Sequence, residues 1–127
     1  MTSPYAKLPC VLNATPVGSR RTCLPPPTDT DDDHLLLIDN HDGFEILILS
    51  MGFNIDGSDV FDHENRTPFD ERFVSYKHKD NAVNLIVTTS PIFEKRFIAA
   101  TAVATRLNLL NKSDRIALFQ AVLYGNS

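Results

Sequence analysis

Two aspartates, Asp31 and Asp33, stand shortly before the apolar run at residues 35–38. If a strand begins near Asp31, its side chains alternate between the two faces, so Asp31 and Asp33 point one way and Asp32 points the other. Two convergent carboxylates suit Mg²⁺ or Mn²⁺, which take oxygen ligands and complete their coordination with water and phosphate. The spacing therefore predicts a divalent-cation site formed by Asp31 and Asp33.

A Gly-Ser pair and two arginines precede these acids in the segment VGSRRTCLPPPTDTDDDHLLLID, residues 17–39. Gly18 permits a turn whose backbone N–H groups can face an anion, and Ser19 adds a hydroxyl donor. Arg20 and Arg21 can neutralise phosphate charge. The segment is thus the outline of a phosphate and metal site, and the other interpretation is an acidic linker followed by a buried strand.

The part GSRRTCLPPPTDTDDDHLLLID resembles the signature of the polymerase-β-type nucleotidyltransferases, in which a Gly-Ser is followed by about ten residues and an acid-x-acid pair that enters a strand. Eleven residues separate Ser19 from Asp31. The resemblance implies that Gly18, Ser19, Arg20 and Arg21 bind the nucleotide. It also implies that Asp31 and Asp33 are the catalytic carboxylates and ligate two Mg²⁺ ions during nucleotidyl transfer.

Residues 82–126 are similar to the C-terminal part of short nucleotidyltransferase-like proteins of bacteriophages. The resemblance implies a nucleoside triphosphate as one partner, with RNA, a protein or a small molecule as the acceptor. A cytoplasmic location is expected because neither a membrane-spanning run nor a secretory signal is visible, and it is the cytoplasm of the host cell if the chain is encoded by a phage.

Two departures from the family pattern leave a second function open. Asp32 occupies a position that is normally apolar, so the acid must be solvated, paired, or part of a shifted register in which Asp29 and Asp31 serve as ligands. Asn84 stands where the family has a third carboxylate, and an amide can ligate a metal weakly but is no base. The alternative is a catalytically inactive protein of this fold that binds a nucleotide or a protein partner, including a phage–host contact.

The elements that must position these residues follow from periodicity and capping signals. Strands are predicted at residues 8–13 and 35–38, a helix at 42–51, a loop at 53–71, and a hairpin from 72–78 and 82–89. Ser90 and Pro91 begin a helix, and a last helix runs from a cap near Asn111 to Gly125. This order predicts an α+β fold whose small sheet is mixed or antiparallel and has helices mainly on one face. The resemblance implies that this fold is a minimal nucleotidyltransferase-like domain.

Length and composition set the class of protein. The 127 residues predict one domain, and neither a membrane-spanning run nor a secretory signal is visible, so no membrane partner is expected. Two cysteines without C-x-x-C spacing argue against a zinc site. Residues 1–65 carry 3 basic and 11 acidic side chains (net −8), whereas 66–127 carry 9 and 5 (net +4). The acidic half attracts cations and the basic half can receive an anionic substrate, and the alternative explanation of this split is two solvated faces.

Overall fold

A computed structural model of the chain describes residues 3–26, 31–56 and 73–124. After a 3₁₀-helix at Pro4–Lys7, five strands and four α-helices follow in the order β1, α1, β2, α2, β3, β4, β5, α3, α4. The strands are β1 (Val11–Val17), β2 (Asp32–Ile38), β3 (Phe53–Asp56), β4 (Val74–His78) and β5 (Val83–Thr88). The helices are α1 (Ser19–Thr22), α2 (His41–Ser50), α3 (Pro91–Leu107) and α4 (Lys112–Tyr124).

The five strands form one mixed sheet in the order β1-β2-β5-β4-β3. β2 and β5 run parallel in the middle of the sheet, and the other neighbouring pairs are antiparallel. The predicted α+β class is confirmed, and so is the hairpin of β4 and β5. Because β2 and β5 are parallel, both begin at the same edge of the sheet, and this edge carries the acids of the opening segment.

Each face of the sheet has its own apolar core. One core joins Leu36 and Leu85 of the central strands to Phe44 and Ile48 of α2. The other joins Leu35 and Ile86 to side chains of α3 and α4, among them Phe93, Phe97, Ala100, Phe119 and Leu123. Leu35 and Leu36 are consecutive, so the alternation of a strand sends them to opposite cores. The two longest helices therefore cover one face, and α2 covers the other.

Both ends of helix α3 are set by capping residues. The Ser90 hydroxyl accepts a hydrogen bond from the backbone N–H of Phe93, and Pro91 occupies the first turn. Asn108 ends the helix in the left-handed conformation, with φ of 49°. The ring centroids of Phe97 and Phe119 lie 4.9 Å apart, and burying each ring contributes roughly 2–3 kcal/mol.

Several boundaries differ from the sequence prediction. β1 starts and ends later than residues 8–13, because its ladder with β2 continues to the pair Val17 and Asp33. Residues 53–56 form strand β3 rather than a loop, since β4 supplies their pairing and Phe53 is buried. The rest of the predicted 53–71 loop and the predicted helix end at Gly125 lie outside the described residues. None of the helices in the described ranges has the length and apolarity to span a membrane.

Candidate functional site

Three polar residues form a row across the sheet at the edge where β2 and β5 begin. Asp33 of β2 is in register with Asn84 of β5, and Asn84 is in register with Lys77 of β4. By strand alternation all three share the face of Leu35 and Ile86, which is the face that α3 covers. The row places a carboxylate, an amide and an ammonium side by side.

Asp31 lies next to this row, immediately before β2. Its Oδ2 is 3.0 Å from the Nζ of Lys77, and the two side chains are 34% and 51% exposed. The negative charge of Asp31 also acts on Asp33. The structure thus brings Asp31 and Asp33 together on one side of the chain, as the alternation predicts, but with a lysine beside them.

Asp33 is a carboxylate in an unfavourable position for a charge. Burial raises the pKa of Asp33 to about 6, and the charges of Asp31 and Asp32 add to this effect. A hydrogen bond from Asn84 and the charge of Arg21 oppose it. Without a bound cation, Asp33 is therefore ionised at neutral pH only at a cost in folding free energy.

Within the described part of the chain, only the N–H group of the Asn84 side-chain amide has a hydrogen-bond partner. Its N–H donates to Asp33, while its Oδ1 is buried and has no hydrogen-bond donor within the described part of the chain. An unpaired buried carbonyl oxygen costs about 1–3 kcal/mol. This oxygen is available to a proton donor or to a hard cation beside Asp33.

Gly18 brings the Gly-Ser segment against Asp33. It follows β1 with φ of 84°, a conformation that side chains disfavour, and a Cβ at this position would overlap the Asp33 carboxylate. Ser19 and Arg20 come next as the first residues of α1, which is only one turn long. Two parts of the predicted site that are 15 positions apart in sequence, Gly18 and Asp33, are therefore in direct proximity.

Arg21 and Asp32 form a separate contact on the other side of β2. Nη1 of Arg21 is 2.5 Å from Oδ1 of Asp32 and also donates to the carbonyl oxygens of Val17 and Asp33, at 3.2 and 3.3 Å. Burial alone would raise the pKa of Asp32, but hydrogen bonds and charge from His34 and Arg21 hold it below its ordinary value. These contacts fix the end of β1 against the start of β2.

Asp32 also begins a buried hydrogen-bond chain. Its Oδ2 is 3.1 Å from Nε2 of His34, and Nδ1 of His34 is 2.7 Å from the hydroxyl of Ser3. Ser3 and His34 are each 2% exposed, so this serine is no accessible nucleophile despite its Ser-His-Asp order. Of the explanations for the extra acid, the structure shows that Asp32 is paired. Asp29, the ligand in the shifted register, lies outside the described residues.

The sequence pattern does not reveal the roles of Lys77, His34 and Ser3. Lys77 lies on β4, which has β5 on one side and β3 on the other, and its contact with Asp31 spans the whole width of β5. A usable signal exists only for Lys77, because the hairpin register places it opposite Asn84. Ser3 and His34 are 31 positions apart, and no local pattern joins them.

The site offers oxygen ligands but no large acidic cluster. Within residues 3–26, 31–56 and 73–124 there is no group of three or more His, Cys, Asp or Glu side chains that could hold a metal ion. The available donors are the carboxylates of Asp31 and Asp33 and the unpaired Oδ1 of Asn84. Mg²⁺ commonly binds with one or two protein carboxylates, keeping several waters and substrate phosphates, so this donor set fits it.

Comparison with protein-family models, with curated proteins and with solved structures finds no significant match to the chain. The function is therefore argued from the geometry of the site.

Proposed function

We propose that the protein is a metal-dependent nucleotidyltransferase that moves a nucleotide from a nucleoside triphosphate to a hydroxyl acceptor. The observation that carries the proposal is the contact between Gly18 and Asp33. It joins the Gly-Ser segment and the acid-x-acid pair, the two parts of the resemblance, at one edge of a mixed sheet. The alternative interpretation, an acidic linker, does not explain why a glycine with positive φ packs against a half-buried carboxylate.

Asp31 and Asp33 would hold Mg²⁺ or Mn²⁺, and the Oδ1 of Asn84 would add a neutral oxygen. The ion supplies charge stabilisation to the phosphate oxygens when bound. Backbone N–H groups at Gly18 and Ser19, with the exposed Arg20, would bind the triphosphate. Nη1 of Arg21 is engaged by Asp32 and two carbonyl oxygens, so Arg21 contributes to phosphate binding only through its other N–H groups.

In the proposed reaction the acceptor hydroxyl oxygen forms a bond to the α-phosphorus of the nucleotide. The bond from that phosphorus to the bridging oxygen breaks, pyrophosphate leaves, and the hydroxyl proton passes to solvent. The acceptor can be RNA, a protein or a small molecule. Because the donor is a nucleoside triphosphate, we place the activity in the cytoplasm, and in the host cytoplasm if a phage encodes the chain.

A second candidate function is a catalytically inactive module that holds a nucleotide or a protein partner, as in a phage–host contact. It is favoured by Asn84, which has no charge and is no base, and by the engagement of Asp31 with Lys77. Both functions use the same fold, so only the site distinguishes them.

The test is a thermal-shift series with Mg²⁺ and each of the four ribonucleoside triphosphates, followed by assay of pyrophosphate release. A ligand at about 100 times its Kd stabilises the folded chain by roughly 2.7 kcal/mol. The matched control is Asp31→Asn with Asp33→Asn, which removes the carboxylates and their repulsion and should leave the fold intact. Binding with pyrophosphate release supports the enzyme, and binding without release supports the inactive nucleotide-binding module. Absence of any shift, or an equal shift in the double variant, rules out the proposed nucleotide site.

A further inference from the structure

The ammonium of Lys77 lies where the acidic site meets solvent. Its Nζ is 3.0 Å from Oδ2 of Asp31, and its backbone is in register with Asn84, which in turn is in register with Asp33. The order across the sheet is therefore anion, amide, cation. Because β4 pairs with β5 on one side and with β3 on the other, the backbone of Lys77 is fixed in the sheet.

The charges of the site leave room for one divalent cation rather than two. Asp31 and Asp33 carry two negative charges when ionised, and Lys77 cancels one of them. Asn84 adds none, although it occupies the middle of the row. A second Mg²⁺ at Asp31 would have to displace the ammonium, and the described residues contain no group of three or more His, Cys, Asp or Glu side chains that could hold a metal ion.

On this basis we propose that Lys77 is a built-in cation that takes the place of one metal ion at Asp31, so that the site binds a single divalent ion, held by Asp33. This inference rests on the proposed function and makes it more specific. The substrate is then the complex of one divalent ion with a nucleoside triphosphate, and the ammonium of Lys77 neutralises the charge that a second ion would otherwise balance.

The competing explanation is an ordinary surface ion pair. An exposed Lys–Asp pair contributes about 0–1 kcal/mol to stability and has no consequence for metal binding. The two explanations differ in what happens when the positive charge is removed while the length of the side chain is kept.

The experiment measures Mn²⁺ binding by electron paramagnetic resonance, with Mn²⁺ alone and with Mn²⁺ and ATP, for the parent chain and three variants. Lys77→Met removes the charge and keeps the length, Lys77→Arg keeps the charge, and Lys79→Met is the control at an exposed lysine just beyond β4. Circular dichroism verifies folding, and Lys77→Gln replaces the methionine variant if that variant does not fold.

The expected result is one Mn²⁺ per chain for the parent, Lys77→Arg and Lys79→Met. Lys77→Met should bind a second Mn²⁺ or bind the first about tenfold more tightly, because a repelling charge close to the site has been removed. A parent that binds no Mn²⁺, while Lys77→Met binds one, would contradict the single-ion site and, with it, the metal-dependent function of the parent. Equal binding by the parent and Lys77→Met overturns the role of Lys77 and leaves the proposed function standing. If neither binds Mn²⁺, both are wrong.

Discussion

Replacing Asp33 by asparagine should stabilise the metal-free protein at neutral pH. Burial raises the pKa of Asp33 to about 6 from an ordinary value of 3.8. A difference of about 2 pKa units corresponds to roughly 3 kcal/mol between the protonated and ionised folded states. This figure is an upper value, because the site is partly open to solvent.

The sign follows from the direction of the shift. A carboxyl group whose pKa is raised by folding binds its proton more tightly in the folded state, so its contribution to stability is fully present below about pH 4. That contribution is lost as the pH rises from about 4 through about 6, and stability stays low above that range. Asp33→Asn cannot ionise, so the variant should exceed the parent by up to about 3 kcal/mol at about pH 7.5 and differ little at about pH 4.

The new amide has a second effect on its neighbour. It can donate to the Oδ1 of Asn84, which has no donor in the described structure, while still accepting from the Asn84 N–H. At about pH 4 the protonated carboxyl of Asp33 in the parent can donate to the same oxygen, so the variant gains this hydrogen bond, which contributes about 1 kcal/mol, only at a pH where Asp33 is ionised. The gain in stability at about pH 7.5 therefore contains this hydrogen bond as well as the removal of the charge.

The assay is urea unfolding with a chelator present, at about pH 4 and about pH 7.5, for the parent and Asp33→Asn. Asp39→Asn is the matched control, since Asp39 is an exposed carboxylate just after β2, and it should change neither curve. A variant no more stable than the parent at about pH 7.5, or a gain of equal size at both pH values, would refute the reasoning that burial of the Asp33 charge is costly.

The remaining predictions concern the neighbours of Asp33. Gly18→Ala should lower the free energy of unfolding by about 1–3 kcal/mol, because it places a Cβ against the Asp33 carboxylate in a left-handed backbone, and unchanged urea unfolding would contradict the Gly18–Asp33 contact. Arg21→Met should cost about 1–3 kcal/mol by removing the cation beside Asp32 and a donor to two carbonyl oxygens, whereas Lys7→Met, at an exposed position of the 3₁₀-helix, should cost nothing in the same assay. Asn84→Asp is nearly isosteric and should raise Mg²⁺ affinity, and it should raise or create nucleotidyl transfer. Destabilisation by several kcal/mol with no response to Mg²⁺ would instead show that Asn84 is a structural hydrogen-bonding residue.

Helix α3 and the β4–β5 hairpin could be predicted because their signals are local. Ser90 and Pro91 mark the start of the helix, and Phe93, Phe97 and Ala100 repeat at helical spacing on its buried face. β3 could not be predicted, since a short edge strand owes its existence to hydrogen bonds from β4. The full extent of β1 could not be predicted for the same reason. Pro16 and Asn13 weaken the strand pattern of this segment, and the pairing with β2 defines where the strand ends.

The same distinction between local and long-range signals applies to the candidate site. The common face of Asp31 and Asp33 follows from strand alternation alone, which needs only the sequence around β2. Asp32 and His34 are only two positions apart in sequence, yet their pairing belongs to a partly buried network that Ser3 and Arg21 complete. Lys77 reaches Asp31 only because β5 lies between β4 and β2, and this order is set by the whole sheet.

Asn84 and Lys77 are neighbours across the sheet, and under the proposed function their electrostatics explain each other. A carboxylate at position 84 would stand between Asp33 and Lys77, so in the absence of metal it would repel the first and attract the second. An amide avoids both interactions and still donates to Asp33. With Lys77 paired to Asp31, a neutral residue at position 84 leaves one uncompensated negative charge at Asp33, where Gly18 brings the Gly-Ser segment closest. The absence of a carboxylate at position 84 is thus coupled to the presence of a lysine at the next position across the sheet, and the two should be changed together to convert this site to one that holds two ions.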